Sequence, residues 1–468
     1  MKPELFDLLI VGAGPAGMSA AVEARQHGLT VLVLDEQPSP GGQIYRNIRS
    51  TDATRLELLG SDYLTGLALT DAFITCGAQW ISAASVWWVT EDKQVHYLVD
   101  GQAHVAQAQR LLIATGAFER PMPIPGWTLP GVMTAGAGQI LLKSAALLPA
   151  GPVVLAGCGP LLYLLAVQYL RAGIELTALV DTSSHGDVLR SWRSIPGALH
   201  GWRDLLKGMS LLAVLRRAGV RHYRGARELR IEGTDRASAL SFRQRNVQRR
   251  IASELILLHQ GVVPNTQISW ALRLEHHWNS SQICWNTDRD TWGETSQPGI
   301  FIAGDGGCIG GALVARTEGR IAALRVAEQL QRLDVCALER YAVPLQRALR
   351  QQLAARPLID ALYRPPQETR IPADEVTLCR CEEVSAGEVR RHVDLGCLGP
   401  NQTKAFGRCG MGPCQGRLCG LSVTEVIAER RQVSPEEVGY YHIRPPIKPI
   451  TLGQLAGESH PQLPQETV

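Results

Sequence analysis

The chain reads as an α/β protein built from two dinucleotide-binding units and a small helical C-terminal module, and three observations carry that reading. Residues 7–36, DLLIVGAGPAGMSAAVEARQHGLTVLVLDE, run as strand, tight glycine turn, helix and second strand. A related run, VVLAGCGPLLYLLAVQYLRAGIELTALVD, occupies 153–181. Near the other end Cys379, Cys381, Cys414 and Cys419 crowd one short segment. A chain of 468 residues is too long for one core, so several units are expected from size alone.

In the first unit Gly12, Gly14 and Gly17, with Pro15 and Ala16 between them, fill the G-x-G-x-x-G positions. These allow a tight turn, close backbone approach to a pyrophosphate, and close packing of helix on strand. A phosphate placed there meets the free N–H groups and positive dipole of the helix N-terminus. Asp35 ends the second strand, placed to hold a ribose hydroxyl, with Glu36 as the neighbouring alternative. Three further segments turn this dinucleotide site into a flavin site. GGQIYR at 41–46, with Gly42 and Gln43, resembles the loop that passes near the flavin in two-dinucleotide-domain flavoproteins. LLIATGAFERP at 111–121, with Thr115 and Gly116, resembles the strand where such chains cross between domains. GIFIAGDGG at 299–307 resembles their second FAD motif, in which Asp305 binds the ribityl or pyrophosphate region and Ala303 and Gly304 permit close approach. In this order they predict bound FAD.

The second unit departs from the pattern. Gly157 and Gly159 fill the first two positions, but Leu162 stands where the third glycine belongs. A leucine there should push the helix from the strand and distort the phosphate cradle. Asp181 still ends the second strand, which leaves an adenine nucleotide open, but the expectation is a retained scaffold with a compromised NAD(P) site. Residues 145–170 carry no charge and exceed the usual membrane-span threshold of about 18 residues. Pro149, Pro152 and Pro160 divide the stretch, and with its glycines they fit loop, strand, turn and helix better than one span.

The cysteines admit a disulfide, a structural zinc or an iron-sulfur centre. Eleven cysteines is an odd number, and no secretory signal pattern opens the chain, so a disulfide framework is not expected. Four-cysteine zinc sites usually pair as C-x2-4-C, whereas the first pair here is C-x-C. Two close thiolate pairs suit the two irons of a 2Fe-2S centre. Cys409 precedes Cys414 by the same gap that separates Cys414 from Cys419, so spacing leaves open which of Cys409 and Cys419 is the fourth ligand.

A net charge of +3 is too mild to imply nucleic acid, and no H-E-x-x-H or G-x-S-x-G motif offers hydrolytic machinery. The densest basic run, RQRNVQRR at 243–250, is expected on the surface of a hairpin. The expected map places an FAD domain at 1–148 and 262–332, with a second nucleotide-like domain inserted at 150–261. A helical stretch and proline-punctuated tether follow at 333–375, then a cysteine module at 376–432 and an extended tail at 433–468. Residues 318–333 have helical periodicity and should pack on the returning strand. Ser385 and Glu388 form a capping box at the start of a helix in the module.

The order of glycine fingerprint, GGQIYR, ATG, second G-x-G-P-L-L, AGD, CRCEEV and GMGPCQGRLC resembles the FAD-containing subunit of bacterial heteromeric amine and amino-acid dehydrogenases. That family includes the opine oxidase, hydroxyproline and proline dehydrogenase and hydrogen cyanide synthase types, with a Rossmann-like, glutathione-reductase-like fold. ERPMPIPGWTLPGVMTAGAGQ at 119–139 is similar to it too, so the resemblance spans nearly the whole chain. The C-terminal module resembles bacterioferritin-associated ferredoxin, with wider spacing of its last two cysteines. By this resemblance Cys379, Cys381, Cys414 and Cys419 are the ligands, Cys409 is an extra thiol, and the Leu162 departure is shared with the cyanide synthase type. The resemblance implies a catalytic partner subunit with its own flavin, a small third subunit, and electron flow through FAD and a 2Fe-2S cluster to a quinone or other acceptor. The expected location is cytoplasmic, with a peripheral place at the inner membrane face as the alternative, and no transmembrane segment is expected. No positioned base for substrate oxidation is visible in the sequence. Two other readings remain: a stand-alone NAD(P)H-dependent flavin and iron-sulfur reductase, which needs the second unit to work despite Leu162, and a non-catalytic cofactor-bearing assembly subunit.

Overall fold

In the computed structural model the described residues are 5–184, 186, 191, 195–198 and 201–457. Residues 1–4 of the expected FAD domain, parts of the second unit between 185 and 200, and 458–468 of the expected tail lie outside them. Strand β1 (Leu5–Val11) is buried from Phe6 onward, as an apolar run covered on both faces must be. It leads through the glycine turn into α1 (Pro15–Gln26) and β2 (Val31–Leu34). The chain continues through β3 (Gln79–Ile81), β4 (Ser85–Val89), β5 (Gln94–Val99) and β6 (Gln102–Ile113). Sheet order is β3-β2-β1-β6-β5-β4, with β1 parallel to β2 and β6.

A two-stranded link, β7 (Ala117–Glu119) with β16 (Val262–Pro264), carries the chain out of this sheet and back. Between them lie β8 (Val132–Thr134), α2 (Ala135–Ala145), β9 (Val153–Cys158), α3 (Pro160–Arg171), β10 (Leu176–Asp181), β11 (His222–Arg224) and β15 (Ile256–Gln260). The strands among them form a second, parallel sheet in the order β11-β10-β9-β15-β8. The boundary expected at 148 is thereby corrected: β8 pairs with β15 from Ile256↔Val132 to Leu258↔Thr134, so this sheet recruits its edge strand before the second glycine turn. An antiparallel sheet, β12 (Arg227–Glu232), β13 (Ala239–Gln244) and β14 (Val247–Ala252), flanks it. The basic run forms the β13–β14 hairpin, turning at Arg245 and Asn246 with φ of 45° and 63°, as two-residue type I′ loops require.

After β16 come α4 (Gln267–Ala271) and the hairpin β17 (His276–Asn279) and β18 (Cys284–Thr287). Strand β19 (Ile300–Ile302) then returns to the first sheet, parallel to β6. Helix α5 (Ala312–Gln329) starts earlier than the expected periodic stretch at 318–333 and ends four residues short of it, at a C-cap on Leu330. It lies against α1, and a Cβ at Gly319 would stand 2.1 Å from the Ala16 carbonyl oxygen. Among the described residues no helix is long and apolar enough to cross a membrane, so residues 145–170 resolve into loop, β9 and α3 as expected.

The C-terminal module holds α6 (Ala386–Asp394), α7 (Pro400–Gly407) and α8 (Gly420–Arg431), and the capping box of Ser385 with Glu388 is present. From Tyr440 to Ile450 the expected tail runs without strand pairing, extended against the rest of the chain. Tyr441 is fully buried, with Ile443 and Ile447 nearly so, and the Ile447 N–H donates to the Trp87 carbonyl at 2.8 Å. The boundary at 432 therefore cuts through the module's core.

Gly319→Leu should drive α5 off α1. Overpacking of this kind costs about 1–3 kcal/mol, read as a lower thermal midpoint and weaker flavin retention on gel filtration.

Candidate functional site

The first glycine turn is shaped by contacts that exclude any side chain. A Cβ at Gly12, where φ is 108°, would lie 2.5 Å from the Ala114 carbonyl oxygen, and one at Gly17 would lie 1.8 Å from the Gly12 oxygen. Gly14 caps α1 in an extended conformation, with Pro15 and Ala16 opening the helix. Gly42 crosses directly over it, since a Cβ there would stand 2.9 Å from the Gly14 Cα. Asp35, at the end of β2, accepts hydrogen bonds from the Ala13 N–H and, at 2.7 Å, from the Gln37 N–H. Burial raises its pKa above the usual carboxylate value. Glu36 turns away to Lys448 at 2.7 Å. Asp35, not Glu36, thus faces the turn.

The second motif closes on the first. Gly304 faces Ala16, and a Cβ there would lie 3.1 Å from the Cβ atoms of Ala16 and Ala315. The Gly304 N–H donates to Glu318 at 2.7 Å, and Glu318 is held by a two-pronged ion pair with Arg289, both bonds 2.9 Å. Asp305 accepts from the Gly310 and Gly311 N–H groups at 2.8 Å each, fixing the loop that leads into α5. Thr115 donates to the Asn265 carbonyl at 3.2 Å. Gly116, at φ 67°, abuts Gly306. Segments from opposite ends of the FAD domain's sequence therefore surround one cradle where three helix and loop ends meet with no Cβ in the way. That arrangement fits a dinucleotide.

Two cations beside the cradle escaped the sequence reading. Lys143 on α2 is buried, and its ammonium donates to the Gln43 carbonyl at 3.1 Å and to Gln139 Oε1 at 3.0 Å. Burial, and secondarily the Arg46 charge, push its pKa down to about 7. Arg46 bonds Gln37 Oε1 through one arm and Gln43 Oε1 at 3.0 Å through the other, so both cations brace the 41–46 loop. Lysine near the end of an amphipathic helix has no sequence signature that separates it from a solvated one.

The second unit is closed. Its cap glycine, Gly159, sits at φ 121° and ψ 157°, where Gly14 has φ −77°, and Leu162 is fully buried in the core. Asp181, the expected ribose ligand, has no exposed surface. Its carboxylate takes the Tyr163 hydroxyl at 2.6 Å, the Ser183 N–H at 2.8 Å and hydroxyl at 2.5 Å, and lies 3.2 Å from His222 Nε2. The linker covers the turn itself, with the Tyr363 carbonyl 3.5 Å from the Cys158 sulfur and its ring 5.9 Å from that of Tyr163. The Asp181 carboxylate is thus an internal hydrogen-bond hub.

In the C-terminal module the sulfurs of Cys379, Cys409 and Cys419 lie within 4.8 Å of one another, all buried. Hydrogen bonds from Cys409 and Cys419 hold Cys379 well below the usual thiol range. Cys381, exposed, meets the backbone and side chain of the half-buried Cys414. The four expected ligands thus fall into an inner pair, Cys379 and Cys419, and an outer pair, Cys381 and Cys414, rather than converging on one point as a tetrahedral zinc site demands. Cysteine-only donors split in this way fit a two-iron cluster. Cys409 joins the inner group, where the Tyr441 hydroxyl donates to its sulfur at 3.5 Å. The glycines of GMGPCQGRLCG have a plain cause: a Cβ at Gly410 or Gly416 would strike the Tyr441 ring at 2.5 or 2.6 Å, one at Gly420 the Tyr440 hydroxyl at 2.4 Å, and one at Gly412 the Cys381 Cβ at 2.2 Å.

Over 456 residues the chain is 44% identical to the A subunit of opine oxidase from Rhizobium meliloti (strain 1021), covering 97% of this chain and 98% of the relative. It belongs to the family of opine oxidase A subunits. The resemblance drawn from motif order is borne out along nearly the full length. To hydrogen cyanide synthase subunit HcnB of Pseudomonas protegens this family member is 30% identical over 94% of its own length and 96% of the relative. The pyridine nucleotide-disulphide oxidoreductase family matches residues 6–186, and the sarcosine oxidase A3 domain matches 379–458. The latter span runs past 432 and takes in Tyr440 and Tyr441, in line with the corrected module boundary. Among solved structures, L-proline dehydrogenase from P. horikoshii superposes with a TM-score of 0.70 at 18% identity, covering 97% of this chain and 80% of that one. T. acidophilum thioredoxin reductase matches 70% of this chain and 99% of its own at a TM-score of 0.51. The expected two-dinucleotide-domain flavoprotein fold is therefore the observed one.

Lys143 supplies a signed pH dependence. Its native pKa near 7 lies below the ordinary 10.5, so between those values the unfolded chain holds a proton that the native state has released, and stability rises with pH. Lys143→Met should abolish this rise in thermal melts taken across the window. It should also cost about 1–3 kcal/mol, because the Gln43 carbonyl and Gln139 lose a buried donor.

Proposed function

We propose that this chain is the FAD- and 2Fe-2S-bearing electron-transfer subunit of a heteromeric dehydrogenase or oxidase that oxidises the C–N bond of an opine, hydroxyproline, proline or similar amine. The observation that carries the reading is the conjunction of an open dinucleotide cradle with a split cysteine cluster in one chain whose own second nucleotide unit is plugged. When bound, FAD accepts electrons in pairs and the cluster accepts them singly, so the two together convert a two-electron oxidation into one-electron steps. The chain's residues bind and orient: Gly12, Gly14, Pro15, Ala16 and Gly17 would receive the pyrophosphate, Asp35 a ribose hydroxyl, and Gly304 and Asp305 the ribityl end. Gln43, Thr115 and Gly116 would border the flavin ring, with Lys143 and Arg46 bracing the loop beneath it. Cys379, Cys381, Cys414 and Cys419 would hold the irons. Substrate oxidation would be housed in a flavin-containing partner subunit, with a quinone or other carrier as final acceptor.

The stand-alone NAD(P)H reductase is disfavoured by the enclosure of Asp181 and by Tyr363 lying over the Cys158 turn. Anaerobic optical and EPR titration separates the readings. NADH and NADPH should leave flavin and cluster oxidised, whereas the co-expressed partner plus an opine or hydroxyproline should reduce both. Bleaching by nicotinamide alone would sink the proposal. For the ligands, Cys409→Ser should keep iron and acid-labile sulfide at wild-type content, while Cys381→Ser or Cys414→Ser should lose most of both. Loss in Cys409→Ser with retention in Cys419→Ser would reverse that assignment.

A further inference from the structure

The flavin cradle and the cysteine cluster lie in different parts of the chain, yet one unbroken line of contacts joins them. From the flavin side, Gly116 accepts the Asn265 N–H at 2.9 Å, and the Trp270 N–H closes back onto the Thr266 carbonyl at 2.9 Å. The Trp270 ring lies parallel to that of Tyr440, centroids 5.3 Å apart and planes 19° off parallel. Tyr440 adjoins Tyr441 in sequence, their rings 5.8 Å apart. The Tyr441 hydroxyl then reaches the Cys409 sulfur at 3.5 Å and that of Cys419 at 3.9 Å.

Several details show that these rings are held in place. The other face of Trp270 stacks on His276 at 3.7 Å and 7°. Both His276 nitrogens are engaged, by Ser269 at 2.9 Å and by the Leu274 carbonyl at 2.7 Å, and burial pushes its pKa down to about 4, so no charge sits against the stack. The Trp270 indole N–H is buried with no acceptor among the described residues. Asn401 clamps the backbone on both sides of Tyr441, donating to the Tyr440 carbonyl at 3.1 Å and accepting the His442 N–H at 2.8 Å. Three glycines are given up to let the tyrosine rings approach the cysteine loop.

We propose that Trp270, Tyr440 and Tyr441 form the path by which electrons cross from the flavin to the inner, Cys419-bearing edge of the cluster. The inference rests on the cofactor reading above and adds the route to it. Each passage oxidises the reduced flavin by one electron and reduces one ferric iron to ferrous. No covalent bond in the protein forms or breaks, and the flavin proton leaves to solvent. Electronic coupling falls exponentially across empty space and more slowly through closely packed π systems, so a packed series of rings, with Trp270 partly buried and parallel to Tyr440 and with Tyr440 edge-on to Tyr441 at 68°, favours transfer in this direction over any solvent gap.

Flash photoreduction of the bound flavin with EDTA as donor, followed by freeze-quench EPR of the reduced cluster, tests the route. Trp270→Leu and Tyr440→Leu should slow cluster reduction at least about tenfold, equivalent to about 1.4 kcal/mol of barrier. Trp270→Phe and Tyr440→Phe, which keep a ring, should stay near the wild-type rate. Iron and sulfide content, and the midpoint potentials of both centres, should be unchanged, a result that a purely structural role for the rings does not predict. Trp270→Leu leaves every residue of the cysteine module intact, so it remains informative if substitution at Tyr440 disturbs assembly. A wild-type rate in Trp270→Leu with the cluster present, or equal slowing in the Phe variants, overturns the route alone. A wild-type chain with no reducible cluster overturns the cofactor reading beneath it.

Discussion

The contact between Ala16 and the pair Gly304 and Gly319 is the constraint on which the flavin half depends. The FAD domain is discontinuous, and its last strand and helix return after an excursion through a second sheet. Helix α5 can seal against α1 only because Gly319 offers no Cβ to the Ala16 carbonyl and Gly304 none to the Ala16 side chain. The same approach sets Asp305 and the start of α5 beside the N-terminus of α1. Packing and binding geometry are thus one requirement: the close helix contact that buries the apolar faces also brings two N-terminal helix ends together, where an anion is favoured.

The cysteine module obeys the same logic with different partners. Its glycines serve the tyrosine rings that seal the inner cysteines from water, and only secondarily the loop conformation. The outcome is an asymmetric site, with Cys379, Cys409 and Cys419 in a low-dielectric interior and Cys381 and Cys414 toward solvent. A centre held this way has one edge turned to the chain's own interior and one turned outward, which suits a relay between an internal donor and an external acceptor.

The second nucleotide unit keeps the fold of the first but departs from its turn. Its sheet retains the parallel order, and β9 pairs with β10 in parallel with one register irregularity between Leu176 and Ala178. Yet Leu162 fills the core where close helix approach would be needed, the cap glycine adopts another conformation, and the ribose acid is spent on Tyr163, Ser183 and His222. A buried carboxylate with this many partners is costly to free, since removing it from its donors leaves them unsatisfied. The domain survives as a platform for α2, which carries Lys143, and for the linker bearing Tyr363.

The sequence by itself determined the fold class and the family, because both rest on an ordered set of local patterns whose chemistry demands fixed spacing. Only the tertiary structure decided that β8 joins the second sheet, that Asp181 is enclosed, that Cys409 joins the inner sulfurs, and that Tyr440 and Tyr441 pack into the cysteine module. Lys143, Trp270 and the two tyrosines carry no motif. Their roles arise from packing between segments far apart in the chain, and periodicity along a chain records which face of an element is apolar, not which distant ring or carbonyl that face will meet.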